Sequence, residues 1–403
     1  MKVRDIVLKI LSDEFHYIDK QGERFVFVRE PTPVRVIDLQ ARDVTEEEVI
    51  ELVKEKLIEI FQKESKEPSW IYLELFPPSP GRLPDEAKIQ VAILNPVLHT
   101  LEGTTIPETI QRFMKYRDDQ GSRPRRFINS TFLLVASEEN MSQMKKEARK
   151  VFAARMVRDD PQRYGIPKDR KQDVEEYLSR HEKLLTDNVR ACFSKLVYQD
   201  KDGIKVITLS SAAYGNGKGG KEVLRHILSN VLTRVYEEPL DPEYVLMRIW
   251  PRDAKYVGLR TLFEAFHRIP GVIIPATKEV FIRTIEKGIR DNLWYLWQDN
   301  KLYEKELPKS ILITNETELL LPEEVERRRI EKMETVQRTE VSEAVRSKET
   351  QYVLPRVYTI SISETPIKIL AGDFDKRIRR EKVIRINSIR LKASSATPSH
   401  ILY

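Results

Sequence analysis

The amino-acid sequence predicts a mixed α/β protein, in which a partly parallel sheet with flanking helices is followed by a winged-helix-like segment and a small β-rich tail. Two observations predict this order. Strand-like apolar runs alternate with long helical patterns between residues 66 and 240, and three short helical patterns precede strand-like runs between residues 241 and 321. The 403 residues are too many for one ordinary core, so several domains are expected.

The chain divides into five predicted parts. They are a helix-hairpin-helix segment (1–65), an α/β domain with a degenerate glycine loop (66–240), a winged-helix-like domain (241–321), a charged helical linker (322–351) and a basic β-rich tail (352–403). The linker is polar on nearly every face, which favours an exposed helix over a core element. The tail returns to short alternating runs, which are typical of strands.

The N-terminal part begins with a predicted helix over residues 3–11, followed by strand-like runs over 15–18 and 24–28. The glycine-containing segment between the two runs is typical of a hairpin turn. A second helix is predicted to begin after Thr45. Thr45 and Glu48 have the spacing of a capping box, and apolar residues follow at helical intervals.

The α/β domain is predicted from four strands and two long helices. The strand-like runs cover 69–76, 88–94, 127–136 and 204–210, and the helical patterns cover 138–158 and 171–197. Strands that alternate with helices indicate a sheet that is at least partly parallel.

The winged-helix-like domain is predicted from three helices and a small sheet. The helices cover 242–249, 259–267 and 278–292, and the strands cover 294–297, 301–304 and 310–314. The strands after the third helix carry four residues that a wing would bring to an adjacent groove of nucleic acid: Trp294, Trp297, Lys301 and Lys305.

The third of these helices has two chemically different faces. One face carries Arg283, Lys287 and Arg290, and the opposite face carries Phe281, Ile285 and Ile289. A recognition helix requires this division, because its apolar side docks on the domain while its cations face phosphates or base edges. Two alternatives remain open: the cations only face water, or the segment binds a protein.

Two further basic clusters are predicted to contact nucleic acid. Arg125 and Arg126 precede the third strand of the α/β domain, and a denser cluster in the tail contains Arg377, Arg379 and Arg380. A charged edge strand that resists aggregation explains the tail cluster equally well.

A glycine-rich loop follows the fourth strand. Residues 215–222 read GNGKGGKE, which satisfies the G-x-x-x-x-G-K spacing of a phosphate-binding loop. However, Glu222 stands where that motif requires Ser or Thr to bind magnesium. We therefore expect an inert cationic turn and no cofactor. The alternative is an unconventional nucleotide site, in which ATP would contact Gly215, Gly217, Lys218, Gly220 and Lys221.

Composition excludes several other kinds of function. The single cysteine, Cys192, cannot form an internal disulfide or a cysteine-based zinc site, and the six histidines show no pair at metal-ligand spacing. No run reaches the length of an apolar membrane span, and the first residues lack the apolar core of a signal peptide. We expect a cytoplasmic protein with no membrane contact, no metal and no catalytic residues. Its net charge of +6 favours anionic partners.

Residues 126–308 resemble the C-terminal half of large AAA+-type prokaryotic ATPases of unknown function. The resemblance is carried by Arg126, Asn129 and Ser130 before an apolar strand, and by the G-I-x-x-x-L-W pattern from Gly288 to Trp294. Members of that family are often encoded beside DNA methyltransferases in restriction or phage-defence gene clusters, and their nucleotide site lies in an N-terminal portion.

The resemblance implies that this chain is a non-catalytic half that binds nucleic acid, DNA above all, or a partner protein. It also implies an ATPase and a methyltransferase as partner proteins, and a role in restriction or phage defence. The remaining alternative is a purely structural subunit of a larger complex.

Overall fold

A computed structural model gives the structure of residues 18–21, 24–27, 32–61, 70–215, 221–331, 389–390 and 401–402. The chain divides into two compact units, 1–331 and 332–403. In the second unit, the described residues form two short antiparallel strands, Ile389–Arg390 and Ile401–Leu402. Among the described residues, no helix is both long enough and apolar enough to cross a membrane.

The first unit contains a main sheet and several smaller ones. Its strands are β1 (Ile18–Gln21), β2 (Arg24–Phe27), β3 (Ile71–Leu75), β4 (Ile89–Ile93), β5 (Thr100–Leu101), β6 (Thr131–Ser137), β7 (Lys195–Asp200), β8 (Gly203–Thr208), β9 (Val235–Tyr236), β10 (Tyr256–Gly258), β11 (Ile274–Pro275), β12 (Tyr295–Gln298), β13 (Lys301–Tyr303) and β14 (Glu318–Leu320). Strands β1 and β2 form the predicted hairpin, and the short strands β9 and β11 pair in parallel.

Helices cover both faces of the main sheet and form much of the second half of this unit. They are α1 (Pro33–Asp43), α2 (Glu46–Phe61), α3 (Glu108–Lys115), α4 (Glu138–Asp159), α5 (Lys171–Cys192), α6 (Lys221–His226), α7 (Pro242–Arg248), α8 (Leu259–Arg268) and α9 (Lys278–Arg290). Residues 322–331, in the predicted linker, are also helical.

The main sheet has the strand order β3-β4-β6-β7-β8. Strands β3, β4 and β6 are parallel, β5 adds to the end of β6 in the same direction, and β7 is antiparallel to both of its neighbours. The predicted α/β class with a partly parallel sheet is therefore confirmed.

The central strand β6 is buried on both of its faces. Phe132 and Leu134 pack into a core with α1, α2, α4 and α5, whereas Leu133 and Val135 pack into a second core with α3. Because neither face meets water, the strand is a continuous apolar run without alternation. This burial explains why the run was recognisable in the sequence.

The capping box predicted at the start of α2 is present. The backbone N–H of Glu48 donates to Thr45 Oγ1 at 3.3 Å, and the backbone N–H of Thr45 donates to Glu48 Oε2 at 2.8 Å. Two of the N–H groups that a helix N-terminus leaves without partners are thus satisfied.

One prediction for this half of the chain was wrong, and one helix was missed. The helix predicted over 171–197 ends at Cys192, and Lys195–Asp200 forms β7 between β6 and β8. The chain turns at Phe193 and Ser194, and the residues that follow are extended by pairing with two strands. The helix Pro33–Asp43 was not predicted from the sequence.

The winged-helix-like module consists of α7, α8 and α9 and an antiparallel sheet of order β10-β14-β12-β13. The strand predicted over 310–314 was wrong, because those residues are not in a strand and Glu318–Leu320 occupies the centre of the sheet. Aromatic and aliphatic side chains from all three helices and the sheet form a separate apolar core.

A buried amide joins the module to the main sheet. Asn129 Nδ2 donates to the carbonyls of Phe266 at 2.7 Å and Val272 at 3.0 Å, and the Gly271 N–H donates to Asn129 Oδ1 at 2.9 Å. Gly271 has φ +81°, and a Cβ there would lie 2.7 Å from the backbone nitrogen of Lys201. The asparagine of the resemblance motif therefore has a structural role.

Candidate nucleic-acid interface

Helix α9 is fixed in the module by its apolar face. Thr277 caps the helix, since its hydroxyl accepts a hydrogen bond from the Val280 N–H at 3.2 Å. One face of the helix is buried in the module core and includes Phe281, Ile285 and Ile289. The predicted apolar face is where the sequence pattern placed it.

The opposite face of α9 presents the three predicted cations to solvent. Arg283, Lys287 and Arg290 are all exposed. Arg283 donates to the Glu237 carbonyl at 3.3 Å, and the Arg290 guanidinium lies 3.7 Å from the Glu286 carboxylate. The Lys287 side chain has no ion pair or hydrogen bond with any described residue. Solvent-exposed ion pairs of this kind are weak. An incoming anion can therefore displace them, and the cations remain accessible to it.

A glycine on α9 allows a tryptophan to pack against the helix. A Cβ at Gly288 would overlap the ring of Trp294, which is fully buried. The Trp294 indole N–H donates to the Ile285 carbonyl at 3.0 Å, and the ring stacks on Trp250 at a centroid distance of 5.9 Å. Trp294 was predicted to lie on the wing. That prediction was wrong, because the residue belongs to the core.

The other predicted wing residues differ in their surroundings. Trp297 is half-buried, and the Arg328 guanidinium lies 5.5 Å from its ring centroid. Arg328 also pairs with Glu318 at 2.8 Å and Glu324 at 3.0 Å. A cation from the helix at 322–331 thus covers the indole, and the exposed wing residues are Lys301 and Lys305.

Arg125 is not on the surface, which corrects its predicted role. The residue is only 6% exposed, and burial is the main reason that its pKa is lowered. Its guanidinium donates to backbone carbonyls of two loops, with N–O distances from 2.7 to 3.5 Å. The four acceptors are Pro80, Leu83, Pro84 and Tyr116. The side chain therefore stabilises the loops and is too deeply buried to contact nucleic acid.

Arg126 is exposed but has an anionic neighbour. Its guanidinium lies 3.5 Å from the buried Asp85 carboxylate. The Arg117 guanidinium lies 3.7 Å from the same carboxylate. The same Arg126 group lies 5.1 Å from the Phe127 ring centroid. The tail residues of the predicted interface, Arg377, Arg379 and Arg380, lie outside the described residues.

The glycine loop follows an edge strand. Strand β8 pairs only with β7 in the part of the chain that the structure describes, and a 3₁₀ helix, Ser211–Tyr214, lies between the strand and the loop. Gly215 has φ +69°, and Lys221 is the first residue of α6. Gly217, Lys218 and Gly220 lie outside the described residues. A phosphate-binding loop instead connects a strand directly to a helix.

Among the described residues, the other reactive side chains form no metal-binding group. Cys192 is buried, and burial raises the pKa of its thiol to about 12. Among the residues with a described structure, no group of three or more His, Cys, Asp or Glu side chains could hold a metal ion.

Comparisons with known protein families, with characterised proteins and with solved structures found no match to this chain.

Proposed function

We propose that this protein binds nucleic acid, and DNA above all, through the exposed face of α9. The observation that carries the proposal is the division of this helix. Its apolar side is fixed in a core while Arg283, Lys287 and Arg290 face solvent. Cations on a rigid helix are held at defined positions, and this is the arrangement that recognition helices use against phosphates and base edges.

Two contacts support the rigidity of this face. The Thr277 cap fixes the first turn of the helix, and the Trp294 indole closes on the last turns through the space left by Gly288. The exposed Lys301 of the β12–β13 hairpin, with Lys305 shortly after β13, extends the cationic surface of the module. A phosphate backbone would therefore meet a helix whose backbone is already ordered, so that only the cationic side chains lose freedom on binding.

The resemblance to AAA+-type ATPases supports a role for this chain as a non-catalytic module beside such an enzyme. In that role the ATPase supplies the nucleotide chemistry, and the α9 face supplies contact with DNA in restriction or phage defence. A methyltransferase is the other partner protein that the resemblance implies.

The test is a fluorescence-anisotropy titration of a labelled duplex oligonucleotide at low salt. The triple variant Arg283→Gln, Lys287→Gln and Arg290→Gln should bind at least about tenfold more weakly than the wild type. A matched variant that neutralises three exposed lysines near α5, Lys168, Lys171 and Lys183, should retain its affinity. Equal losses in both variants, or no binding by the wild type, would contradict the proposal and favour a structural subunit.

The alternative function is nucleotide binding by the glycine loop. Two observations favour it: helix α6 begins at Lys221, directly after the loop, and Gly215 has the left-handed φ that glycine permits. Isothermal titration calorimetry with ATP and magnesium separates the two functions. Heat of binding that disappears in Lys221→Ala would establish the alternative.

A further inference from the structure

The main sheet ends at an open edge. Strand β8 (Gly203–Thr208) pairs with β7 on one side, and no other described strand lies on its other side. None of its six residues is buried, whereas every residue of the central strands β4 and β6 is. A strand of this length at the edge of a sheet presents a row of backbone groups that can pair with another chain.

The hydrogen bonds to β7 show which backbone groups of β8 are free. The Leu209 N–H, directly after the strand, donates to the Ser194 carbonyl at 2.7 Å. The register is regular from this pair to the turn, so every second residue of β8 bonds to β7. The residues between them point their N–H and C=O groups away from the sheet, where no described residue bonds to them. These residues are Ile204, Val206 and Thr208.

The edge lacks the features that commonly prevent such pairing. Edge strands are often protected by a proline, a bulge or an exposed charge. Residues 203–208 contain no proline, and their uninterrupted register against β7 leaves no bulge. The charged residue of the strand is Lys205, whose ammonium group pairs with the Asp200 carboxylate and lies 3.7 Å from that of Asp202. The charge that would repel a second strand is therefore largely neutralised.

Apolar side chains flank the edge on both faces of the sheet. Ile204 and Val206 pack partly into the core that contains α3, and Ile207 packs partly into the core on the opposite face. All three remain partly exposed. A strand added to this edge would remove more of their apolar surface from water and would also satisfy the free backbone groups.

The sequence of β8 is complementary to itself in one register. Two antiparallel copies related by a twofold axis at Val206 place this residue opposite its own copy. Ile204 then lies opposite Thr208, and Lys205 lies opposite Ile207, so that all the free backbone groups of the strand pair in about six hydrogen bonds. An axis at Lys205 would set two lysines opposite each other, and an axis at Ile207 would leave Ile204 with no strand residue opposite it.

We infer that this protein forms a twofold homodimer in which the β8 strands of two copies pair antiparallel and continue the main sheet from one copy into the other. A second copy fits the edge because each Lys205 then lies beside an aliphatic side chain of the other copy and no like charges meet. The pairing is independent of DNA binding by α9, so either one can fail without the other.

Hydrogen exchange of the wild-type protein at single-residue resolution tests the pairing without any substitution. At roughly 100 µM protein, the amides of Ile204, Val206 and Thr208 should exchange at least about tenfold more slowly than unstructured amides of the same sequence. The amides of Lys205 and Ile207 already bond to β7 and are the internal control, which should be protected in any case. Rapid exchange of the three outward amides would overturn the proposal and leave the edge open to a strand of another protein.

Exchange of charge at Val206 tests the register. Val206→Lys places two lysines opposite each other across the axis, and Val206→Glu places two glutamates there. Each variant alone should therefore sediment as a monomer at concentrations where the wild type is a dimer. An equimolar mixture of the two variants should restore the dimer, because lysine then lies opposite glutamate, and misfolded variants would not recover in this way.

A control variant separates this effect from a general change of charge. Gln162→Lys adds the same charge as Val206→Lys to an exposed turn after α4, and it should remain dimeric. Sedimentation velocity of the full-length chain measures all these species. A wild type that is monomeric at roughly 100 µM, single Val206 variants that remain dimeric, or a mixture that stays monomeric would each contradict the proposed pairing.

Discussion

Arg125 and the cations of α9 were predicted from the same property, positive charge, yet their environments differ completely. Arg125 is buried and donates to four backbone carbonyls, whereas Arg283, Lys287 and Arg290 are exposed on a capped helix. The difference lies in the structural element that carries each cation. Helical periodicity fixes which side of α9 faces the core, but nothing local to the sequence around Arg125 shows that two loops will close around it.

This comparison teaches that a cluster of arginines in a loop is weak evidence for an anion-binding surface. Loop carbonyls need hydrogen-bond donors once they are buried, and a guanidinium supplies several at fixed angles. Cations opposite a buried apolar stripe are stronger evidence, because the helix geometry that buries one face exposes the other.

The largest effect on stability is expected at Arg125. Arg125→Met should lower the free energy of unfolding by roughly 3 to 5 kcal/mol, because it leaves buried carbonyls without donors. Arg283→Met, an equal change at an exposed site, should alter it by less than about 0.5 kcal/mol. Urea denaturation followed by circular dichroism measures both. Equal losses would mean that the two arginines do not differ in environment.

The next largest effect is expected at Gly288. Gly288→Ala should lower the free energy of unfolding by about 3 kcal/mol, because the added methyl group overlaps the buried Trp294 ring. Alanine normally stabilises an exposed helical position relative to glycine. A decrease in the unfolding free energy would therefore show that the added methyl group meets a packed ring. The neighbouring exposed substitution Lys287→Ala is the control and should be nearly neutral in the same denaturation assay. A stabilised Gly288→Ala protein would contradict the packing described for Trp294.

A buried histidine, His267, should make the stability of the fold depend on pH. Burial lowers the pKa of His267 to about 3, and neither ring nitrogen has a partner among the described residues. Below its unfolded pKa of about 6.5, the unfolded chain gains a proton that the folded chain does not, so stability falls by about 1.4 kcal/mol per pH unit down to about pH 3.

The variant His267→Leu isolates this contribution. Between pH 7 and about pH 4.5, the wild type should lose about 2.5 kcal/mol more of its unfolding free energy than the variant does. Denaturation at the two pH values measures the difference, and any steric cost of leucine cancels between them. An identical pH dependence in both proteins would show that His267 is not buried as a neutral ring.

The smallest effect is expected at the capping box. Thr45→Ala should lower the free energy of unfolding by about 1 kcal/mol, because the Glu48 N–H loses its acceptor. Combining it with Glu48→Ala should cost less than the sum of the two single changes, since both residues belong to one reciprocal pair. Strict additivity in thermal denaturation would argue against the capping box.

The parts of the fold that the sequence predicted are those decided by neighbours along the chain. Thr45 and Glu48 lie three residues apart, and the two faces of α9 follow from helical spacing. Strand β7 was missed because Lys195–Asp200 follows a helix directly and is extended only through pairing with β6 and β8. Local propensity contains no information about such distant partners.

The candidate site shows the same limit. The positions of Arg283, Lys287 and Arg290 were predictable, but the burial of Trp294 was not, because it depends on the missing side chain of Gly288 six residues earlier. The open edge of β8 was also missed. Residues 204–210 were predicted to form a strand, but the position of that strand at the edge of the sheet depends on its pairing with β7, which was not predicted.

The most direct test of the α9 interface is the salt dependence of duplex DNA binding. If the three cations neutralise phosphates, the slope of log affinity against log salt should be less steep in the triple variant by about 0.9 for each phosphate that is no longer neutralised, a change of about 2.7 in all. Arg125→Lys, which retains the buried charge, should keep the wild-type slope. A slope that is unchanged in the triple variant would show that these cations face only water.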